Sequence, residues 1–470
     1  MSKKLSPYIL ENIEIIDIGS EGKSIAKQEG MVIFIPMGVP GDIVDIRIIK
    51  KRKGYMEGII TQIKQPSPLR IAPRCSHFGV CGGCKWQILP YQQQLQFKQQ
   101  QIYDNFKHLG KFEFPEMEPI LGSENEYYYR NKLEFTFSDS RWLDQEDLEH
   151  RDQLNLNGLG FHVPGKFDKV VDIEHCYLQE DPSNQIRLAV KKQALAKGIP
   201  FYNIKTHTGI LRNLIIRTHG PGQLMVILVV KSVTPEVMEL LQFLVEQFPE
   251  ISSLHYVINT KLNDSISDLP TELFHGNPHV KAKMEELEFI ISPVSFYQTN
   301  SQQAYRLYQV VREWAEIQPD EIVYDLYTGT GTIANFVAHQ AKKVVGIEYV
   351  ESAIEDAWVN SRNNGIENSF FIAGDIKDIL TSSFVKEQGK PNVVITDPPR
   401  AGMHPAVVEQ LLKILPDRIV YVSCNPATQA RDITLLAAHY KVVKVQPVDM
   451  FPHTHHLENV VLLKRNTTLN

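Results

Sequence analysis

From about residue 303 onward, five segments that are apolar on both faces alternate with helical stretches such as VESAIEDAWVNSRNN: EIVYDLY, KKVVGIEY, NSFFIAGD, NVVITDPP and RIVYVSC. A strand apolar on both faces must be covered twice, which predicts a parallel sheet with helices on each side. Ligands then bind at the carboxyl ends of the strands. Each of the five ends on a residue that carries chemistry: Tyr327 with a glycine turn, Glu348, Asp375 after Gly374, Asp397 before Pro398-Pro399-Arg400, and Cys424 within Ser423-Cys424-Asn425-Pro426.

In DLYTGTGTIANF, Gly329 and Gly331 let the backbone approach a ligand, and a helix N-terminus follows. The next strand ends about 20 residues later in Glu348, placed to accept from ribose hydroxyls. That acid suits both nicotinamide cofactors and S-adenosylmethionine. DLYTGTG departs from G-x-G-x-x-G, and an acid at the third strand end can accept from an adenine amino group. With D-P-P at the fourth strand, the order resembles class I methyltransferases. A lone cysteine after a strand is by default buried and inert, but Cys424 has Asp397 and Glu458 as company. Carbon 5 of uracil is too weak a nucleophile to take a methyl group unaided. A thiolate adding to carbon 6 activates it, and a base must afterwards remove the carbon 5 proton. Cys424 and Glu458 suit those roles. His453, His455 and His456 lie within four residues of a non-helical stretch and are poorly spaced for one metal ion.

The length of 470 residues predicts about three domains. Residues 11–62 read as short strands rich in Ile and Val, punctuated by Gly and Pro, which predicts a five-stranded barrel of the oligonucleotide-binding type. A whole-chain charge of -6 argues against a polyanionic partner, yet residues 1–90 hold 13 Lys+Arg against 8 Asp+Glu, with Lys50, Lys51, Arg52 and Lys53 in one run. Leu95, Ile102, Phe106 and Leu109 place an apolar stripe on a Gln-rich helix over 91–110. Residues 127–290 mix strands and helices. Cys75, Cys81 and Cys84 form C-x5-C-x2-C in a Gly-rich loop whose small residues let the backbone wrap a metal centre; Cys176 stands alone. With no apolar run of about 20 residues and no signal-peptide pattern, the chain is expected in the cytoplasm and off the membrane.

Taken together, SCNPAT, FPHTHHLENVVLL, SFYQTN, DLYTGTG, TDPPRAG and the cysteine spacing make the chain resemble the bacterial RNA uracil-5-methyltransferases, and most of all their ribosomal RNA members that carry an iron-sulfur cluster. The resemblance covers nearly the whole chain. It implies a multidomain α/β protein: a TRAM (OB-like) RNA-binding barrel over 1–65, a central α+β domain with the cluster over 66–290, and a Rossmann-like class I methyltransferase domain over 291–470, on which helix 91–110 would pack. It further implies Cys424 as nucleophile and Glu458 as base, with Gln298, Tyr327, Glu348, Asp375 and Asp397 at S-adenosylmethionine. Cys75, Cys81, Cys84 and Cys176 would hold a [4Fe-4S] cluster, though the same spacing suits zinc. The implied partner is RNA, 23S ribosomal RNA ahead of transfer RNA, with oligomeric state left open. TDPPRAG departs from the family's single Pro followed by Ala-Arg, which leaves the place of Arg400 open. Tyr129-Arg130-Asn131-Lys132 also matches a family motif, and Arg130 and Lys132 suit either RNA contact or an internal ion pair. The rivals are an amino-group methyltransferase, disfavoured by Arg400 where an aromatic residue is expected, and an RNA-binding protein without catalysis.

Overall fold

Alternation of Ile and Val along residues 9–65 puts one face of every strand into a common interior. In the computed structural model, which describes residues 8–466, β1 (Ile9–Ile18), β2 (Ser24–Gln28), β3 (Met31–Ile35), β4 (Ile43–Lys51) and β5 (Tyr55–Gln65) close into a barrel in the order β1-β2-β3-β5-β4. Ile13, Ile15, Ile33, Val44 and Ile46 fill it. Strands β2 and β3 are separated because Glu29 and Gly30 take φ of 49° and 79° and reverse the chain. Of the basic run, Lys50 is paired with Glu57 at 2.6 Å, and Lys51, Arg52 and Lys53 are exposed at the turn. Residues 1–7 and 467–470 of the expected end domains lie outside the described residues.

The barrel is docked by a close approach. The Gly22 (φ 71°) carbonyl accepts from Trp86 Nε1 (3.3 Å), and a Cβ there would stand 2.9 Å from His455 Cβ. Only glycine lets this turn rest on both the cysteine loop and the segment that precedes Glu458.

The central sheet has the order β12-β11-β10-β9-β6-β7-β8, with β6 (Lys132–Ser138), β7 (Gly158–Val163), β8 (Lys166–Asp172), β9 (Leu211–Thr218), β10 (Leu224–Val230), β11 (Ser253–Ile258) and β12 (Glu272–Gly276). Strands β9 and β10 are buried on both faces and serve two cores by the strand's period of two. Leu214, Ile216, Val226 and Leu228 pack under helices Ser183–Ala196 and Pro235–Gln247. Ile215, Met225, Ile227 and Val229 face the catalytic domain and share its core. At about 1.5–3 kcal/mol per buried side chain, this shared core is what fuses the two domains. The hairpin β13 (Val280–Met284) and β14 (Leu287–Ile291) precedes the boundary expected at 291, yet Ala282, Phe289 and Ile291 pack into that same core.

The C-terminal sheet runs β17-β16-β15-β18-β19-β21-β20, with β15 (Ile322–Leu326), β16 (Lys343–Glu348), β17 (Ser369–Ala373), β18 (Val393–Thr396) and β19 (Arg418–Ser423) parallel. β21 (Glu458–Arg465) is antiparallel to both β19 and β20 (Tyr440–Val448). The order steps outward from β15 in both directions, so the switch point lies between β15 and β18. Helix Tyr91–Asp104 packs on this domain through Ile102 and Phe106. It continues as a π-helical turn over Asn105–Gly110, and that widening turns Leu109 off the stripe to 63% exposure. Among the described residues no helix is long and apolar enough to cross a membrane.

Candidate active site

Strand ends β15, β18, β19 and β21 bring the acids and the cysteine together. Antiparallel pairing of β19 with β21 sets Ser423 opposite Asn459, so Cys424 follows β19 next to the start of β21, near enough for the Glu458 charge to act on its thiol. Ser423 and Asn425 then turn the chain: Asn425 Oδ1 caps helix Pro426–Leu436 at the Ala427 amide (3.1 Å), and Asn425 Nδ2 ties the Arg400 carbonyl at 3.0 Å. The loop after β18 is thereby fixed against the turn that carries Cys424.

The electrostatics are those of an acid-rich, partly closed site. Burial pushes the Cys424 thiol up to about 11, with Glu458 and Asp397 adding to it and the exposed Arg400 opposing. Glu458 is 5% exposed, and its Oε2 is buried without a hydrogen-bond partner. Burial and then Asp397 hold its carboxyl well above the usual range. Asp397 is pushed up to about 7 by burial and by Asp325. Among the described residues none of Asp325, Asp397 and Glu458 has a basic side chain within ion-pair distance. Three largely buried acids with no ion-pair partner, and only the exposed Arg400 acting from a distance, make a place for a positively charged ligand.

The glycine turn after β15 is built from left-handed residues: Tyr327, Gly329 and Gly331 have φ of 64°, 55° and 72°. A Cβ on Gly331 would meet Ala357 Cβ at 2.9 Å, so the helix starting at Thr332 can lie this close only with glycine there. Tyr327, the non-glycine member, is half-buried, with its hydroxyl pushed up to about 12 by burial and by Asp432, Asp375 and Glu348. Glu348 accepts from the Gly329 amide (3.2 Å) and the Val350 amide (3.0 Å), so it braces the turn at the β16 end. Asp375 caps helix Ile376–Ile379 and pairs with Lys377, which keeps its carboxyl below the usual range. Gln298 is half-buried, and its carbonyl is fixed by Asn131 Nδ2 at 2.8 Å. Asn300 binds the Met450 carbonyl at 3.0 Å. The YRNK and SFYQTN segments are in this way sewn to the loop before Glu458.

Two features were not singled out in the sequence. Asp325 is buried and pushed up to about 7, its carboxylate turned back onto Thr328 Oγ1 (2.5 Å) and the Ala334 amide (3.1 Å). Its signal was an acid inside a strand otherwise apolar on both faces. Lys98 lies with Asp449 in a fully buried ion pair at 2.6 Å. Its signal was a lysine between Leu95 and Ile102 on the apolar stripe. Arg130 and Lys132, by contrast, have no carboxylate within ion-pair distance among the described residues; Arg130 lies over the Phe451 ring at 5.6 Å.

His453, His455 and His456 are all depressed, to about 4, 3 and 4, chiefly by burial, so they are neutral at pH 7. The His453 carbonyl accepts from the Lys85 and Trp86 amides (2.8 and 3.0 Å), directly after Cys84. Cys75, Cys81, Cys84 and Cys176 line one cavity of about 370 Å³, to which Thr454 also contributes. Burial pushes Cys81 and Cys84 up to about 12, with the neighbouring cysteines adding to it. Among the described residues no group of three or more His, Cys, Asp or Glu side chains, these cysteines included, is arranged to hold a metal ion.

Residues 11–61 match the model of the TRAM domain, and residues 279–466 that of tRNA (Uracil-5-)-methyltransferase. An RNA methyltransferase of Bacteroides thetaiotaomicron, itself uncharacterized, is 55% identical over 95% of this chain and 100% of its own length. One from Porphyromonas gingivalis is 54% identical over 97% and 100%. The crystal structure of Pyrococcus abyssi tRNA (uracil-54, C5)-methyltransferase in complex with S-adenosyl-L-homocysteine is 27% identical, covers 96% of this chain and 99% of its own, and superposes with a TM-score of 0.74. A TRAM barrel ahead of a seven-stranded methyltransferase sheet defines an RNA-modifying enzyme. The chain belongs to the RNA uracil-5-methyltransferase family and is an S-adenosylmethionine-dependent enzyme of that kind.

Proposed function

We propose that the enzyme methylates carbon 5 of a uridine in 23S ribosomal RNA through a covalent Cys424 intermediate resolved by Glu458. The observation that supports the reading is the meeting of the β19 end with the β21 start, where the thiol lies near a buried carboxylate with one unpartnered oxygen. S-adenosylmethionine, when bound, supplies an electrophilic methyl group on a cationic sulfonium, and the acids at the strand ends suit that charge. Gln298, Tyr327, Glu348, Asp375 and Asp397 are the residues we assign to it.

In the free enzyme the thiol is protonated at pH 7. On addition, its proton passes to solvent water at the half-exposed thiol, sulfur bonds to carbon 6 of the uracil, and the ring electrons move toward carbon 5 and the carbonyl oxygen at carbon 4. Carbon 5 then takes the methyl group and carries both methyl and hydrogen. Glu458, as carboxylate, removes that hydrogen; the electron pair re-forms the 5,6 double bond, and Cys424 leaves as thiolate. The uracil must leave its stack to reach this site.

The four cysteines fit a [4Fe-4S] cluster better than zinc. A zinc ion at about 2.3 Å from each sulfur draws its ligands to a point, whereas the cavity that these four cysteines line, about 370 Å³, has room for a larger group. Cys75, Cys81, Cys84 and Cys176 would hold the cluster, which would tether the loop 75–84 to Cys176. We divide the chain at 65/66 and 290/291 and place the enzyme in the cytoplasm. The ribosomal target rests on the barrel and the four-cysteine site occurring together. Transfer RNA is the second reading, favoured by the Pyrococcus abyssi enzyme's substrate.

Glu458→Gln tests the mechanism. The variant adds the thiol and passes the methyl group but stalls before elimination, leaving a denaturation-resistant enzyme–RNA band that carries label from the methyl donor. Cys424→Ala gives neither band nor product. A Glu458→Gln enzyme that turns over freely without the band removes Glu458 from the mechanism. Sequencing of 5-methyluridine positions in RNA from a deletion strain decides between the two targets.

A further inference from the structure

Beside the cysteine cavity, three half-exposed tyrosines gather around one guanidinium. Arg74 Cζ lies 4.4 Å from the ring centre of Tyr177, 4.9 Å from that of Tyr127 and 5.4 Å from that of Tyr128. Tyr177 meets Tyr127 and Tyr128 edge-on at 6.3 and 6.1 Å, and His175 lies 4.3 Å from Tyr177. The two chain segments are joined by the Tyr128 amide donating to the Tyr177 carbonyl (2.7 Å) and the Arg130 amide to that of Leu178 (2.8 Å).

None of these rings belongs to a hydrophobic core of the described residues. Tyr128 holds φ at 55°, a conformation that a bulky residue seldom adopts, and this turns its ring to the cluster. Tyr127 is fixed from behind: its ring stacks at 4.4 Å and 33° on His453, which is 2% exposed. His453 is five residues before Glu458, so its Cα lies within about 17 Å of that of Glu458 along the chain, and the cluster stacks on its ring. Arg74 has no carboxylate within ion-pair distance among the described residues, and its one side-chain hydrogen bond is a long one, 3.5 Å to Tyr128 Oη. Arg130 lines the same cavity as His175 and Tyr177.

Rigid, partly exposed aromatic faces with an unpaired guanidinium are what unstacked nucleotides bind: the bases stack on the rings, and phosphates meet the cation. We infer that Arg74, Tyr127, Tyr128 and Tyr177 form a stacking platform for single-stranded nucleotides flanking the target uridine. The inference rests on the methylation reading for its substrate and adds the place where that substrate is gripped. Extruding one base leaves its neighbours unstacked, and this platform takes them up beside the catalytic loop.

The probe is a single-stranded oligoribonucleotide of about twelve nucleotides with 2-aminopurine at its centre, a length matched to stacking sites. Wild-type protein quenches the probe on binding. Tyr127→Leu and Tyr177→Leu keep apolar bulk but lose the ring, and each weakens binding roughly 5- to 100-fold and relieves quenching. Tyr177→Phe keeps wild-type affinity, and Arg74→Gln weakens binding and flattens its salt dependence. Iron is measured in every variant because Arg74 and Tyr177 adjoin Cys75 and Cys176. Leucine variants that bind and quench as wild type overturn the platform. So does a loss in Tyr177→Leu that follows its iron while Tyr127→Leu, with full iron, binds normally. Wild-type protein that formed no 5-methyluridine on any RNA would instead defeat the methylation reading, and the oligonucleotide result would stand apart from it.

Discussion

Lys98→Met removes the one cation from the buried pair that anchors the segment before Glu458. Both side chains of the pair are fully buried, with Nζ 2.6 Å from Asp449 Oδ1, and Lys98 also donates to the Phe451 carbonyl at 3.1 Å. Methionine fills nearly the same space, so little of the cost comes from a cavity. What remains is a buried carboxylate served by neutral donors: Tyr91 Oη at 2.8 Å and the Phe451 amide at 2.9 Å. Breaking a buried pair by removing one member costs about 3–5 kcal/mol. Those two surviving donors put the expected cost at about 3 kcal/mol, which is roughly a hundredfold. The free energy falls on a loop, so it appears as local opening before global unfolding. Hydrogen exchange read by mass spectrometry should show the amides of residues 450–458 losing about a hundredfold in protection, while the barrel strands keep theirs. Methyl transfer falls with it, because Glu458 follows this loop. Lys98→Met combined with Asp449→Asn removes both charges and recovers part of the protection. Unchanged exchange in the single variant, or a double variant no better than the single, refutes the claim that the ion pair holds the loop.

Asp325 titrates near 7 in the folded protein against about 3.9 unfolded, so its contribution to stability is complete below about pH 4 and is lost as pH rises to about 7. Asp325→Asn cannot titrate, and its unfolding free energy relative to wild type should therefore rise by about 2–4 kcal/mol between about pH 4 and pH 8; parallel denaturant profiles for the two would show that the carboxyl does not ionise there. Cys424, raised to about 11, should be alkylated by iodoacetamide at a rate that climbs tenfold per pH unit beyond pH 9, where an ordinary thiol levels off; a plateau near pH 9 in peptide mass spectra would contradict the burial argument. Cys75→Ser should lower iron content, speed proteolysis of the central domain and weaken RNA binding; stoichiometric zinc without iron in anaerobically prepared wild type would overturn the cluster assignment.

Local pattern was enough for the catalytic domain, because a strand apolar on both faces has one stable setting and strand ends in that setting are where ligands bind. Tyr327, Glu348, Asp375, Asp397 and Cys424 were legible for that reason, as was the barrel from its spacing of Ile, Val, Gly and Pro. The register was not. Cys424 and Glu458 are 34 positions apart in the sequence, and only the antiparallel insertion of β21 beside β19 brings one near the other. Glu348 and Asp375 show the same limit from the other side: their positions could be read, but their hydrogen bonds to the Gly329 amide and to Lys377 depend on how turns pack. Lys98 and Asp449, 351 positions apart, and the tyrosines 127, 128 and 177 around Arg74 left no joint trace in the sequence. Periodicity reports what a segment does with its own neighbours, at three or four residues in a helix and two in a strand. Contacts between segments depend on which faces the folded core brings together, and that only the tertiary structure decides.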